Sequence, residues 1–96
     1  MNLKVAKIEE VKDHPSAENL YILKINVGEK KQLVAGLKPY LKPLELKGKN
    51  IVIITNLKPT KLRGELSQGM LLAAEKNKKV KILEAPNSKP GDQVYI

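Results

Sequence analysis

The chain has no cysteine, no tryptophan and no phenylalanine, and it carries one histidine and one arginine. Without cysteine there is no disulfide framework, no zinc site built on thiolates and no thiol nucleophile. The same absence fits a reducing compartment. With His14 alone and no thiol, Ser–His and Cys–His catalysis have little to work with. The adjacent carboxylates Glu9 and Glu10 would point to opposite faces of a strand. Neither a glycine-rich phosphate loop nor metal-ligand spacing is present. A catalytic centre, a metal site and a cofactor are therefore not expected. No apolar run approaches the ~20 residues of a membrane span. The lysines near the N-terminus have no apolar stretch behind them, so no signal peptide is read. The expectation is a cytoplasmic protein with no membrane partner. Three tyrosines, Tyr21, Tyr40 and Tyr95, are the whole aromatic complement. That is too few for a platform on which bases stack, so a nucleic-acid ligand would be held through backbone and shape.

What is present is charge. The 96 residues, read as one domain over 1–96, carry 18 basic and 10 acidic side chains, a net charge of +8. The surplus is uneven. Residues 1–18 hold three lysines and four acids, and all of the excess lies beyond them. Such a potential attracts polyanions, of which nucleic acid is the commonest in cytosol. A lysine-rich solvated surface, as in heat-adapted proteins, would have the same composition.

The apolar pattern reads as short strands. Leu3–Val11 is β-branched with interleaved charge, and its alternation slips between Val5 and Ile8, which predicts a bulge there. Asp13–Ala17 is a turn in which Pro15 moves His14 out of helical geometry. Asn19–Val27 alternates cleanly, with Tyr21, Leu23, Ile25 and Val27 on one face. The opposite face begins with Leu20 and Ile22 and ends with Lys24 and Asn26, so the strand surfaces near Lys24. Residues 31–35, 50–55, 69–74, 80–83 and 93–96 complete the set. A short helix is read from Pro43 to Gly48. Five or six short strands with turn signals about every ten residues predict an all-β Greek-key barrel.

Residues 56–70, Asn-Leu-Lys-Pro-Thr-Lys-Leu-Arg-Gly-Glu-Leu-Ser-Gln-Gly-Met, lie between two apolar strands and hold the single arginine. Arg63 presents five donors in a planar fork suited to phosphate oxygens, and Lys58 and Lys61 add point charges. Asn56, Ser67 and Gln68 can reach ribose hydroxyls or base edges. A solvated basic loop has the same composition, so the spacing alone leaves both readings open. Leu62 and Leu66 are read as packing residues that anchor the segment.

This stretch, of the form N-L-K-P-x-K-L-R-G-x-x-S-Q-G-M, resembles the signature of the tRNA-binding domain family. His14-Pro15-Ser16-Ala17-Glu18-Asn19-Leu20 resembles that family's H-P-x-A-x-x-L turn, and Asn26-Val27-Gly28 and Val34-Ala35-Gly36 follow in order. The resemblance implies an OB-fold: a five-stranded Greek-key barrel with one short helix and a short C-terminal extension. It implies a non-catalytic module that reads the folded shape of tRNA, either free-standing or acting in trans with an aminoacyl-tRNA synthetase. Met1 at the start fits the free-standing form, and free-standing members are homodimers. Carried across position by position, the RNA-facing set is Asn56, Lys58, Arg63, Ser67 and Met70, with Lys61 and Gln68 added. Lys24 would lie on the same face. Met70 admits a core reading, and His14 a structural one. An export chaperone of the same family implies a peptide-binding alternative on the same dimeric fold.

Overall fold

A computed structural model describes residues 2–95. The spine is β1 (Leu3–Asp13), followed by β2 (Tyr21–Asn26), β3 (Lys30–Ala35), β4 (Asn50–Ile54), β5 (Thr60–Leu62), β6 (Glu65–Ser67), β7 (Met70–Leu71), β8 (Ala73–Lys76), β9 (Lys79–Ile82) and β10 (Gln93–Val94). The main sheet runs β3-β2-β1-β4-β7, with β10 also on β1, and every pairing is antiparallel. Two small hairpins, β5–β6 and β8–β9, stand outside it. The architecture is all-β, a strongly curled sheet.

β1 is long enough to serve several partners. Its first half, Leu3–Lys7, lies against β4, with β10 beside Leu3 and Lys4, and its second half pairs with β2. Val5 and Ala6 are consecutive and both buried, a pattern that resembles a bulge in the sequence. The ladder with β4 is unbroken there. The two side chains point to opposite faces: Ala6 enters the main core cluster, and Val5, whose backbone bonds residues 91 and 92, is buried outside it. The irregularity comes later, between Ile8 and Glu10 against β2.

The alternation of β2 is realised as expected. Tyr21, Leu23, Ile25 and Val27 are all buried, and the Tyr21 hydroxyl donates to the Leu41 carbonyl at 2.8 Å. Leu33, Ile51 and Ile53 complete the inner face, and Leu46 is fully buried among them. Each such side chain contributes roughly 1.5–3 kcal/mol by leaving water. Leu46 follows a single 3₁₀ turn, Pro43–Glu45, which is what becomes of the expected short helix. Gly48, at φ +83°, closes the segment before a second turn can form. The expected strand over 69–74 is split at Leu72 into β7 and β8.

The curl brings the outer edge of β3 against residues 66–69. Here side chains supplement the ladder. Gln68 N–H donates to the Gln32 carbonyl at 2.8 Å, and Gln32 N–H donates to Oε1 of Gln68 at 3.0 Å. Val34 N–H donates to the Ser67 hydroxyl at 3.0 Å, and that hydroxyl donates to the Gly69 carbonyl. No helix among the described residues is long and apolar enough to cross a membrane.

Candidate nucleic-acid interface

The segment 56–70 is a hairpin as well as a loop. β5 and β6 pair as Thr60↔Ser67, Lys61↔Leu66 and Leu62↔Glu65, leaving a two-residue connection, Arg63-Gly64. Both connecting residues have positive φ, +53° and +91°, the geometry of the mirror-image turns whose twist suits a hairpin. Gly64 adopts it freely. Arg63 does so at a cost, because its Cβ crowds the following carbonyl in the left-handed region, by about 1–2 kcal/mol.

Neighbouring groups hold the arginine there. Nη2 of Arg63 donates to the Ser16 carbonyl at 3.1 Å, and the Ser16 hydroxyl lies 3.4 Å from the Arg63 carbonyl. His14 completes the brace. It is 5% exposed, its Nδ1 accepts from Ser16 N–H at 3.0 Å, and its Nε2 lies 3.0 Å from the Leu62 carbonyl. A backbone N–H can only donate and a carbonyl only accept, so Nδ1 is bare and Nε2 carries the hydrogen. The turn 14–16 and the tip of the 60–67 hairpin are thereby one unit. Arg63 keeps most of its donors exposed over a concavity lined by Ser16, Glu18 and Asn19.

The remaining candidates separate into groups. Lys58 and Lys61 are exposed. Asn56 is exposed and uses its amide oxygen to accept from Asn2 N–H at 2.8 Å. Met70 is 58% exposed, so its side chain is at the surface and not in the core. Lys24 is half-buried and donates to Oε1 of Gln32, whose Nε2 donates to the Leu66 carbonyl. Lys24, Gln32 and Gln68 share an open groove of about 660 Å³ together with Glu9, Lys30 and Lys31. Ser67 is 6% exposed, and both hydrogen-bonding roles of its hydroxyl are used inside the fold. It holds the segment in place and offers nothing outward. Leu62 and Leu66, read as packing residues, are 39% and 38% exposed, and Leu57 is 43% exposed. A three-residue strand pair lying outside the main sheet covers little apolar area.

Gln32 and Ser16 were not legible as site residues. Gln32 looks like a surface position on a basic strand, and Ser16 like a turn filler. The partners that tie them to the 56–70 segment, Leu66 and Arg63, are 34 and 47 residues away in sequence.

The fold and the site together define a small, basic, all-β domain that carries its single arginine at the tip of a hairpin. The profile of the putative tRNA-binding domain family matches residues 3–93, and the chain belongs to that family. Methionine–tRNA ligase of Thermococcus kodakarensis is 56% identical over 84 residues, 86% of this chain and 11% of that protein. The corresponding ligase of Borrelia garinii subsp. bavariensis is 46% identical over 101 residues, 98% of this chain and 14% of that protein. The chain thus spans about a tenth to a seventh of these relatives. Among solved structures, a MetRS-related protein from Pyrococcus horikoshii superposes with a TM-score of 0.90 at 33% identity, covering 98% of this chain and 89% of that one. The CsaA chaperone protein from Picrophilus torridus superposes at 0.89 with 31% identity, covering 98% and 91%.

Proposed function

We propose that this domain is a non-catalytic tRNA-binding module of the OB kind, a five-stranded Greek-key barrel with small hairpins added, that recognises folded tRNA through its backbone. The observation that carries the reading is Arg63. A residue held at positive φ by Ser16, which His14 in turn braces, with its guanidinium over an open concavity, is a strained conformation maintained by its surroundings, and such strain concentrates at ligand sites. A planar guanidinium with unused N–H groups suits phosphate oxygens. Lys58, Lys61, Asn56 and Met70 lie exposed on the same segment, and Lys24 and Gln68 line the neighbouring groove. The reading includes a cytoplasmic homodimer, free-standing or serving an aminoacyl-tRNA synthetase in trans; the ligases among its relatives support the synthetase connection.

The test is a salt-series titration against folded tRNA, an unstructured RNA of equal length and a DNA duplex. Affinity for tRNA should be highest and should fall with a log–log slope of roughly −0.7 to −0.9 per phosphate contact. Arg63→Glu should weaken all tRNA species alike; a changed ranking among them would sink the shape-reading mechanism. The second reading, a peptide-binding chaperone, is favoured by the apolar side chains of Leu57, Leu62, Leu66 and Met70 exposed along the same segment. Equal binding of all three nucleic acids would move it ahead.

A further inference from the structure

The β8–β9 hairpin breaks two rules of hairpin stability, and both breaks add positive charge to one place. Its ladder pairs Ala73↔Ile82, Ala74↔Lys81, Glu75↔Val80 and Lys76↔Lys79. Paired residues share a face, and alternate positions along a strand share it too. Val80 and Ile82 are the partly buried members and pack toward the core, so their face turns inward. The outer face is then Ala74, Lys76, Lys79 and Lys81, all exposed. Lys76 and Lys79 stand directly across from one another. Like charges in that position repel and destabilise the pair. Glu75, the nearest acid in sequence, belongs to the other face, and no ion pair among the described residues involves any of these lysines.

The tip breaks the second rule. Asn77 and Lys78 form the two-residue connection with φ of +53° and +64°. Asparagine suits the first position and glycine the second; a lysine there is held in the left-handed region where its Cβ is crowded. A solvated loop gains nothing from this choice. The hairpin is also firmly rooted. Leu72 N–H donates to the Val52 carbonyl at 3.1 Å, Val52 N–H to the Leu83 carbonyl at 3.2 Å, and Leu83 N–H to the Leu72 carbonyl at 3.0 Å. Both strands therefore rise from one point on β4, and the lysines are carried on a stiff projection.

We infer that the β8–β9 hairpin is a second polyanion contact, distinct from the Arg63 hairpin, in which Lys76, Lys78, Lys79 and Lys81 straddle the phosphodiester backbone. A bound phosphate chain between Lys76 and Lys79 supplies the counter-charge that the protein itself withholds. The choice of a folded RNA as the polyanion rests on the tRNA-binding reading above. The hairpin adds affinity and a second point of attachment, which fixes how the RNA lies across the domain.

The experiment compares three proteins with the wild type in the salt-series titration with tRNA: Lys76→Gln/Lys79→Gln/Lys81→Gln, Lys78→Gly, and a charge-matched control, Lys42→Gln/Lys47→Gln/Lys89→Gln, whose lysines are also exposed. Loss of three phosphate contacts should shrink the salt slope by roughly 2 to 3 and cost on the order of 100-fold in affinity at 0.1 M salt. The control should lose far less. Lys78→Gly should raise the melting temperature while weakening tRNA, a pairing of effects that a solvated loop would not give. If the hairpin triple behaves as the control, the inference is wrong and net charge explains the binding. If Arg63→Glu leaves binding intact while the triple abolishes it, the hairpin stands and the Arg63 site falls. If the wild type binds no nucleic acid, both fall. A change in molecular mass of the triple without RNA, by light scattering, assigns the face to contact between copies and also overturns the inference.

Discussion

Replacing His14 with alanine should cost about 2–3 kcal/mol and lower the melting midpoint by roughly 10 °C. Ser16 N–H and the Leu62 carbonyl each lose a hydrogen bond in a pocket where the side chain is 5% exposed. Both bonds are partly buried; losing each costs about 1 kcal/mol, and the lost packing of the buried ring adds a similar amount. The loss should also have a place: amide exchange should quicken across residues 60–67, and tRNA affinity should weaken, because Arg63 is no longer clamped against the 14–16 turn. His14→Asn separates the two bonds. Its side-chain oxygen can still accept from Ser16 N–H but is too short to reach Leu62. It should therefore recover part of the stability and little of the hairpin protection. Stability regained together with full protection at 60–67 would show that the Leu62 contact does not hold the hairpin.

Gly69→Ala should be at least as damaging, about 2–4 kcal/mol. A Cβ at residue 69 would sit 2.7 Å from the Ile54 carbonyl oxygen and 3.3 Å from Cδ2 of Leu33. The first is backbone of an interior strand and cannot swing aside. The position also has φ +151°, which an L side chain rarely adopts. Gly64→Ala is the matched comparison. It too has positive φ, but a Cβ there meets nothing within 4 Å, so its cost should be about 1 kcal/mol. Equal losses in the two variants, measured by denaturant unfolding, would assign the effect to dihedral strain and remove the steric argument.

How much of this was legible in the sequence follows from the range of the interactions. The Tyr21–Val27 alternation is local, and it set both the strand and its buried face. The apolar run Ile51–Ile54 likewise announced an interior strand. The β5–β6 hairpin was hidden for two reasons: its strands are three residues long, too short for an alternation to register, and its connection starts with arginine where asparagine or glycine would signal a turn. Ser67 shows the limit most clearly. A serine before Gln68 and Gly69 in a basic stretch reads as an outward donor. Its role is fixed by Val34, thirty-three residues earlier, and nothing local records that distance. The stretch that resembles the family signature therefore mixes outward groups, Lys58, Lys61 and Arg63, with Ser67 and Gly69, which hold the sheet together.

The contact between β3 and residues 66–69 has a consequence for the order of folding. β1, β2 and β3 are successive antiparallel strands joined by short turns, and they can assemble among themselves. The contact at Gln32 and Val34 waits for a segment some 33 to 36 residues further along. Long closures are entropically expensive and are compensated late. In place of a continuous ladder, this join relies on one backbone bond, the Ser67 hydroxyl and the side-chain amides of Gln32 and Gln68, so it forms after the β1–β2–β3 meander and parts early. Ser67→Ala should accordingly speed unfolding and leave the refolding rate nearly unchanged; a slowed refolding limb would place the join in the nucleus instead. The groove containing Lys24, Gln32 and Gln68 would then exist only in molecules that have closed this join, and a chain arrested short of it would hold its first three strands yet present no finished surface to a ligand.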